Sequence, residues 1–308
     1  MEEDTSEDEQ MFDDLDLSKA RKKEKEVPQF NIAIVCSQQD PASINVRDQL
    51  IMAHKFKQQK LKFDGNPIYN RDTIWLLTLT ESALHHEHID EQIEADLYIF
   101  ASKHQSKEGV PALCLHAPGN WNKAEHGGSD QKLSMSSALF NKNAFKILKQ
   151  NAVQNNLDLQ VTLEATHHGP LLEKKPCFFI EIGSNEENWK NPKLGAFMAE
   201  TIMKIADQLV KQALGKEKQN CSIAVGIGGT HYAQDFTKAQ LEKNIAIAHI
   251  IPKYHLEYLN EDILKEAMQK TADKVDFFLV DWKGLGEHKE KVVSLIKVSG
   301  IPMKKTDE

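Results

Sequence analysis

Cysteine is scarce in this 308-residue chain: there are four, and no two form a Cys-x-x-Cys pair. That excludes a disulfide framework and a thiolate zinc site. Cys36, Cys114, Cys177 and Cys221 each fall inside a predicted strand, the pattern of reduced core thiols in a cytosolic protein. No apolar run approaches the roughly 18–20 residues that a membrane helix needs. The acidic N-terminus excludes a secretory signal or transit peptide. The chain has no His-Glu-x-x-His helix, no P-loop, no dinucleotide fingerprint and no internal repeat. Aromatic residues make up only 7% of it, which offers no obvious platform for stacking nucleotide bases.

What is present suits a water-soluble globular protein, with 40% hydrophobic and 27% charged residues. Its length holds one large α/β domain or two smaller ones. The net charge of −8 argues against a nucleic-acid partner until its distribution is considered. Residues 1–16 carry nine acids and no Lys or Arg, so removing them raises the formal charge to +1. This acid-rich tail, continued by a basic run from Lys19 to Lys25, is expected to be disordered over residues 1–28.

From Phe30 the texture changes. Ile32 to Cys36 is a continuous apolar run of the kind buried on both faces of a sheet. Asp40-Pro41 opens a predicted helix reaching about Lys60, and Gly65-Asn66 marks a hairpin tip. Strands and helices then alternate, with a helix at Ser137 to about Asn155 and the longest at Pro192 to Leu214, closed by Gly215. The pattern predicts an α/β fold: a mixed, largely parallel sheet with helices on both faces. The body is expected to be one catalytic domain over residues 29–303, with an N-terminal α/β portion over about 29–95 and a flexible end at 304–308.

Several strands run toward histidines. His104, His116 and His231 each lie where an apolar strand meets a Gly- or Pro-containing loop, and residues 122–137 form a long irregular segment suited to a lid or binding loop. The strand Leu157–Ala165 ends in His167-His168, and Gly169-Pro170 forces a turn at once. Glu164 and Glu181 are lone carboxylates on apolar strands. His85, His86 and His88 read instead as a solvated loop, and His249 as an ordinary strand histidine. Imidazoles and carboxylates converging without cysteine suit zinc with an open position and hydrolysis of an ester or amide.

Four stretches taken together resemble the D-aminoacyl-tRNA deacylases of the archaeal and plant class: Ser102 to His116, Glu164 to Pro170, Phe179 to Ser184, and Gly226 to Tyr232. The resemblance runs from about Phe30 to Ile301. It implies a cytoplasmic hydrolase in translation quality control that cleaves the ester of D-aminoacyl-tRNA. It further implies two Zn2+ ions per subunit and a fold similar to the phosphorylase and peptidyl-tRNA hydrolase group. Neither DNA nor a membrane is an expected partner, and a monomer is expected. Within this frame His116, His167, His168 and Glu181 are the candidate metal ligands. Glu164, Thr166, His167 and His168 are the candidate catalytic groups. Lys103, His104 and His231 are expected to contact substrate, with amides of Gly228, Gly229 and Thr230 holding an oxyanion or phosphate. Gly169 and Gly183 are expected to permit close approach of the amino acid. Two other readings remain open: a zinc aminopeptidase- or carboxypeptidase-like amidohydrolase, and a non-catalytic tRNA-binding module. The scattered basic residues Lys103, Lys107, Lys142, Lys146, Lys149, Lys174 and Lys175 speak against the second.

Overall fold

The structure, a computed structural model, describes residues 29–106, 109–215 and 220–308. The acidic and basic tail and Lys107 lie outside the described residues. Among the described residues no helix is long and apolar enough to cross a membrane.

The first half builds β1 (Ile32–Ser37), α1 (Pro41–Ala53), β2 (Lys57–Phe63), β3 (Asn66–Arg71), β4 (Ile74–Leu79) and the short α2 (Ile89–Gln92). It continues with β5 (Leu97–Gln105), β6 (Ala112–His116), α3 (Ala138–Gln154), β7 (Gln160–Leu163) and β8 (Cys177–Ser184). After α4 (Glu186–Lys190) and α5 (Pro192–Ala213) come β9 (Ser222–Ile227), α6 (Gln234–Glu242) and β10 (Ile245–Ile251). The chain ends with α7 (Glu261–Gln269), β11 (Phe277–Val280), α8 (Lys289–Ser299) and β12 (Met303–Lys305).

The fold is mixed α/β with largely parallel pairing, divided between two sheets. The larger has the order β2-β3-β4-β1-β5-β8-β6-β7, antiparallel at the β2-β3-β4 hairpins and between β8 and β6, and parallel elsewhere. The smaller, β10-β9-β11-β12, is wholly parallel. Alternation along the strands explains the layering. Ile32, Ile34 and Cys36 of β1, with Leu97 and Ile99 of β5, join the core built with α1, α3 and α5, whereas Ala33, Val35, Tyr98 and Phe100 face the other side. That second face is covered by Ala83, Ile89 and Leu172 rather than by a long helix.

The helix α5 forms where its signals predict. The Asn191 side chain caps the Lys193 amide, Pro192 occupies the first turn, and Gly215 ends the run at φ +70°. Met198, Ile202, Ile205 and Leu209 lie on its fully buried stripe, so truncating Ile202 to Ala costs about 2–5 kcal/mol.

Three boundaries differ from expectation. The first helix stops at Ala53, seven residues before Lys60, because Lys55 takes a left-handed φ of +61° and Lys57–Phe63 pairs with β3. The Lys- and Gln-rich composition of β2 favours helix locally, and the hairpin overrides it. Cys221 falls just before β9 rather than inside it. Finally, Met303–Lys305, which overlaps the end expected to be flexible, pairs in parallel with β11.

Candidate active site

Period-two alternation lays the polar cluster on one sheet face. In β5 Ser102 and His104 continue the parity of Tyr98 and Phe100, and in β8 Glu181 continues that of Cys177 and Phe179. The register sets Ser102, Glu181 and Cys114 abreast across β5, β8 and β6. His116 closes β6 on the same face, as its stacked contact with the Phe179 ring shows. The side chains of Glu164 and Glu181 are both about 2% exposed or less as residues, so this is a buried carboxylate pair. His104 is inside the strand rather than in a loop, because β5 runs on to Gln105.

The loops complete the cluster. Past β7 the chain is stitched to the smaller sheet: Ala165 N–H donates to the His231 carbonyl, Ala233 N–H to that of Leu163, and Thr166 N–H to that of Ile250. These bonds draw His231 in from the end of β9, so that its Nε2 lies 3.2 Å from Glu164 Oε1. His104 Nδ1 lies 3.0 Å from the same oxygen and 3.6 Å from Glu181 Oε2. His116 Nε2 stands 3.7 Å from Glu181 Oε1, which also accepts from Ser102 Oγ at 2.7 Å. His167 packs 4.1 Å from His116, 4.4 Å from His168 and 4.7 Å from His231, centroid to centroid. The turns at 104, 116, 167–168 and 231 therefore open on one centre, which lies over the sheet face and not only off the strand ends.

Two electrostatic environments sit side by side. Burial alone would lower the pKa values of His104 and His116, but hydrogen bonding and charge from Glu181, with the Glu164 charge, outweigh it and hold both above the ordinary value. For Glu181 burial favours the neutral acid, and the two imidazoles overcome it and hold the carboxyl well below its usual range. Burial pushes His167 well down, helped by repulsion from His116, His168 and His231. Burial and His116 push His168 down to about 3.

The donor set fits a divalent cation. His116, His167 and His168 each point Nδ1 at a main-chain carbonyl, of Ala117 at 3.2 Å, Ala165 at 2.8 Å and Gly169 at 2.6 Å. Donation there fixes the rings and leaves Nε2 to the cluster. His116 Nε2 and both Glu164 oxygens are buried without a hydrogen-bond partner, despite ionisable neighbours at ion-pair distance. Buried polar atoms left in that state are costly unless something else satisfies them. Three triads present ligand atoms within 4.8 Å of one another: His116/His167/His168, His104/Glu164/His231 and His116/Glu164/Glu181. Nitrogen and oxygen donors without sulfur suit zinc.

Several expected site residues have other surroundings. Lys103 has the opposite parity to His104, and its ammonium lies over the Trp189 ring, 5.1 Å from the centroid. Thr166 Oγ1 accepts from Ile250 N–H at 3.1 Å and lies 3.4 Å from His249 Nδ1, so it ties β7 to β10 instead of facing the cluster. Gly228 N–H already donates to the Ile251 carbonyl, while Gly229 packs against Phe236 and Asp281, and the Thr230 hydroxyl donates to Tyr232 O. A side chain at Gly169 would strike the backbone of Gly127, Gly128 and Leu84, and one at Gly183 the His104 ring at 2.7 Å. Both glycines make room for the protein itself. His85, His86 and His88 enter none of the three triads, and His249, fully buried with Nε2 3.1 Å from the Lys270 carbonyl, is a satisfied strand histidine.

Two participants were not singled out from the sequence. Tyr232 Oη lies 2.7 Å from His104 Nε2, and Ser102 holds Glu181. Both sat inside the quoted motifs, and the signal for Ser102 was its position two residues before His104 in one strand.

Comparison with known proteins places the chain among relatives. The profile of a family described as D-aminoacyl-tRNA deacylase matches residues 91–304. The D-aminoacyl-tRNA deacylase of Pyrococcus abyssi is 38% identical over 275 residues, covering 87% of this chain and 97% of the relative. That of Methanosarcina barkeri is 33% identical over 294 residues, covering 92% of each. A crystal structure of a conserved protein of unknown function superimposes with a TM-score of 0.79 at 29% identity, covering 90% of this chain and 96% of that one.

Proposed function

Since this chain belongs to the D-aminoacyl-tRNA deacylase family, we propose that it hydrolyses the ester joining a D-amino acid to the 3′ end of tRNA. The products are the free D-amino acid and tRNA, and the role is quality control of translation in the cytoplasm, by a monomer acting on neither DNA nor membrane. The observation that supports the buried cluster as the reaction centre is the convergence of His104, His116 and His231 on Glu164 and Glu181, with His167 and His168 packed against His116 and both Glu164 oxygens unpartnered.

In this reading His116, His167, His168 and Glu181 would hold one zinc ion, and His104, Glu164 and His231 a second. Bound zinc supplies Lewis acidity and lowers the pKa of a water to about 7. Burial keeps His167 and His168 neutral, the state in which an imidazole binds a cation. Glu164 takes the proton of the attacking water on a carboxylate oxygen and returns it to the departing ribose oxygen. The His231 side chain is 35% exposed where Glu164 is fully buried, so it stands at the mouth of the cluster. Tyr232 and Ser102 orient His104 and Glu181 respectively.

The test is to incubate the purified protein with matched D- and L-aminoacyl-tRNA and to follow ester loss. The proposal requires rapid loss from the D form while the L form persists. Equal loss from both, or from neither, would overturn it.

A further inference from the structure

Bulky apolar side chains exposed among the described residues include only two aromatics, Tyr254 at 47% and Tyr258 at 40%. Both belong to the short turn that follows β10, one helical turn apart, with His255 between them. Ring centroids lie 4.7 Å apart for Tyr254 and His255, and 6.2 Å for His255 and Tyr258. In a chain so poor in aromatics, two exposed rings flanking a half-buried third call for a reason, because exposed apolar surface is costly unless something covers it.

The strip is continuous with the mouth of the cluster. Tyr254 Oη lies 3.3 Å from His231 Nδ1, and the other nitrogen of that ring is the one 3.2 Å from Glu164. A strand end whose terminal ester sits at Glu164 leaves across His231 and meets Tyr254 first. The opposite end of the strip borders the long loop, since the Tyr258 hydroxyl lies close to Asn122 as well as to Glu257. Charged groups of both signs border the strip: Glu257 and Glu125 act on His255, whose ring pKa burial lowers, and the Lys291 ammonium donates to the Leu256 and Glu257 carbonyls. Flat π faces suit bases, whichever the sequence, rather than the sugar–phosphate backbone.

We propose that Tyr254, His255 and Tyr258 form a stacking platform for the unpaired bases at the 3′ end of the tRNA substrate. This rests on the function proposed above. Stacking tolerates any base, so the platform contributes affinity and direction of approach, and leaves the choice of amino acid to the buried cluster.

Two measurements test it. In steady-state deacylation, Tyr258→Ala should raise KM for D-aminoacyl-tRNA by about 5- to 100-fold with little change in kcat, the range expected for loss of one stacked base. The slope of log KM against log salt should stay as in the wild type, because no phosphate contact is removed. The second probe is a short single-stranded RNA carrying 2-aminopurine, whose fluorescence is quenched by stacking. Wild type and Tyr254→Phe should quench it in a saturable manner, and Tyr254→Ala and Tyr258→Ala should not. Equal quenching by both alanine variants, or none by the wild type, overturns the platform. A wild type that quenches the probe but spares D-aminoacyl-tRNA overturns the proposed reaction instead, and an active wild type with unchanged KM in Tyr258→Ala overturns the platform alone.

Discussion

Replacing Glu181 by glutamine keeps the shape of the side chain and removes the carboxylate charge at the centre of the cluster. Its oxygens lie 3.6 Å from His104 Nδ1 and 3.7 Å from His116 Nε2. At an effective dielectric of about 20, unit charges about 4 Å apart attract by about 4 kcal/mol. Burial works against that attraction for both rings, and only the carboxylates keep their pKa values above the ordinary histidine value. With Glu181 gone, both pKa values should fall, that of His116 further, because Glu164 still stands 3.0 Å from His104 Nδ1. The assay is a histidine-ring NMR titration of metal-free wild type and Glu181→Gln, with signals assigned from His104→Gln and His116→Gln. The variant should also lose at least about 100-fold in deacylation rate, as a residue that binds the cation or positions its ligands would. Unchanged titration of His104 and His116, or turnover within threefold of wild type, would refute the assigned electrostatics.

Other tests probe separate parts of the account. His167→Ala should lower the deacylation rate by about 100-fold or more, and near-normal turnover would remove His167 from the mechanism. Gly183→Ala places a Cβ 2.7 Å from the His104 ring, so it should cost about 10- to 100-fold in rate through displacement of that ring, while Gly169→Ala, blocked by backbone at 2.3 Å, should mainly destabilise, by about 1–3 kcal/mol in urea unfolding. His249 is buried, and burial lowers its pKa from 6.5 to about 4. The unfolded chain binds that proton first, so the contribution is complete above 6.5 and is lost as pH falls toward 4. About 2 kcal/mol of stability should disappear between about pH 7.5 and pH 5, a loss that His249→Gln should lack.

Much of the fold could be read in the chain because its strands are near-continuous apolar runs and its long helices carry caps and stops. Asn191-Pro192 and Gly215 mark α5 closely, and Ile32 to Cys36 announces a strand covered on both sides. The division into two sheets was not legible, because the pairing that separates β9–β12 from the rest is long-range and leaves no local pattern. β2 is obscured for a different reason: its Lys and Gln residues favour helix, and only pairing across the adjacent hairpin makes it a strand. At the site, the histidines at strand ends and the two lone carboxylates were the informative residues, since burying such groups on apolar strands demands partners. Strand parity could have separated His104 from Lys103. Nothing local shows that the amide of Gly228 is taken by Ile251, a bond between two strands that are neighbours only in the folded sheet.

The central claim is that one buried cluster holds the metal and carries out the reaction. The most direct measurement is an anomalous difference map, collected at the zinc edge, from crystals of the zinc-loaded protein. The account predicts density between His116, His167, His168 and Glu181 and beside His104, Glu164 and His231, with nitrogen and oxygen ligands at about 2.0–2.2 Å. Density at His85, His86 and His88 instead, or none at the cluster in a protein that still deacylates, would contradict it.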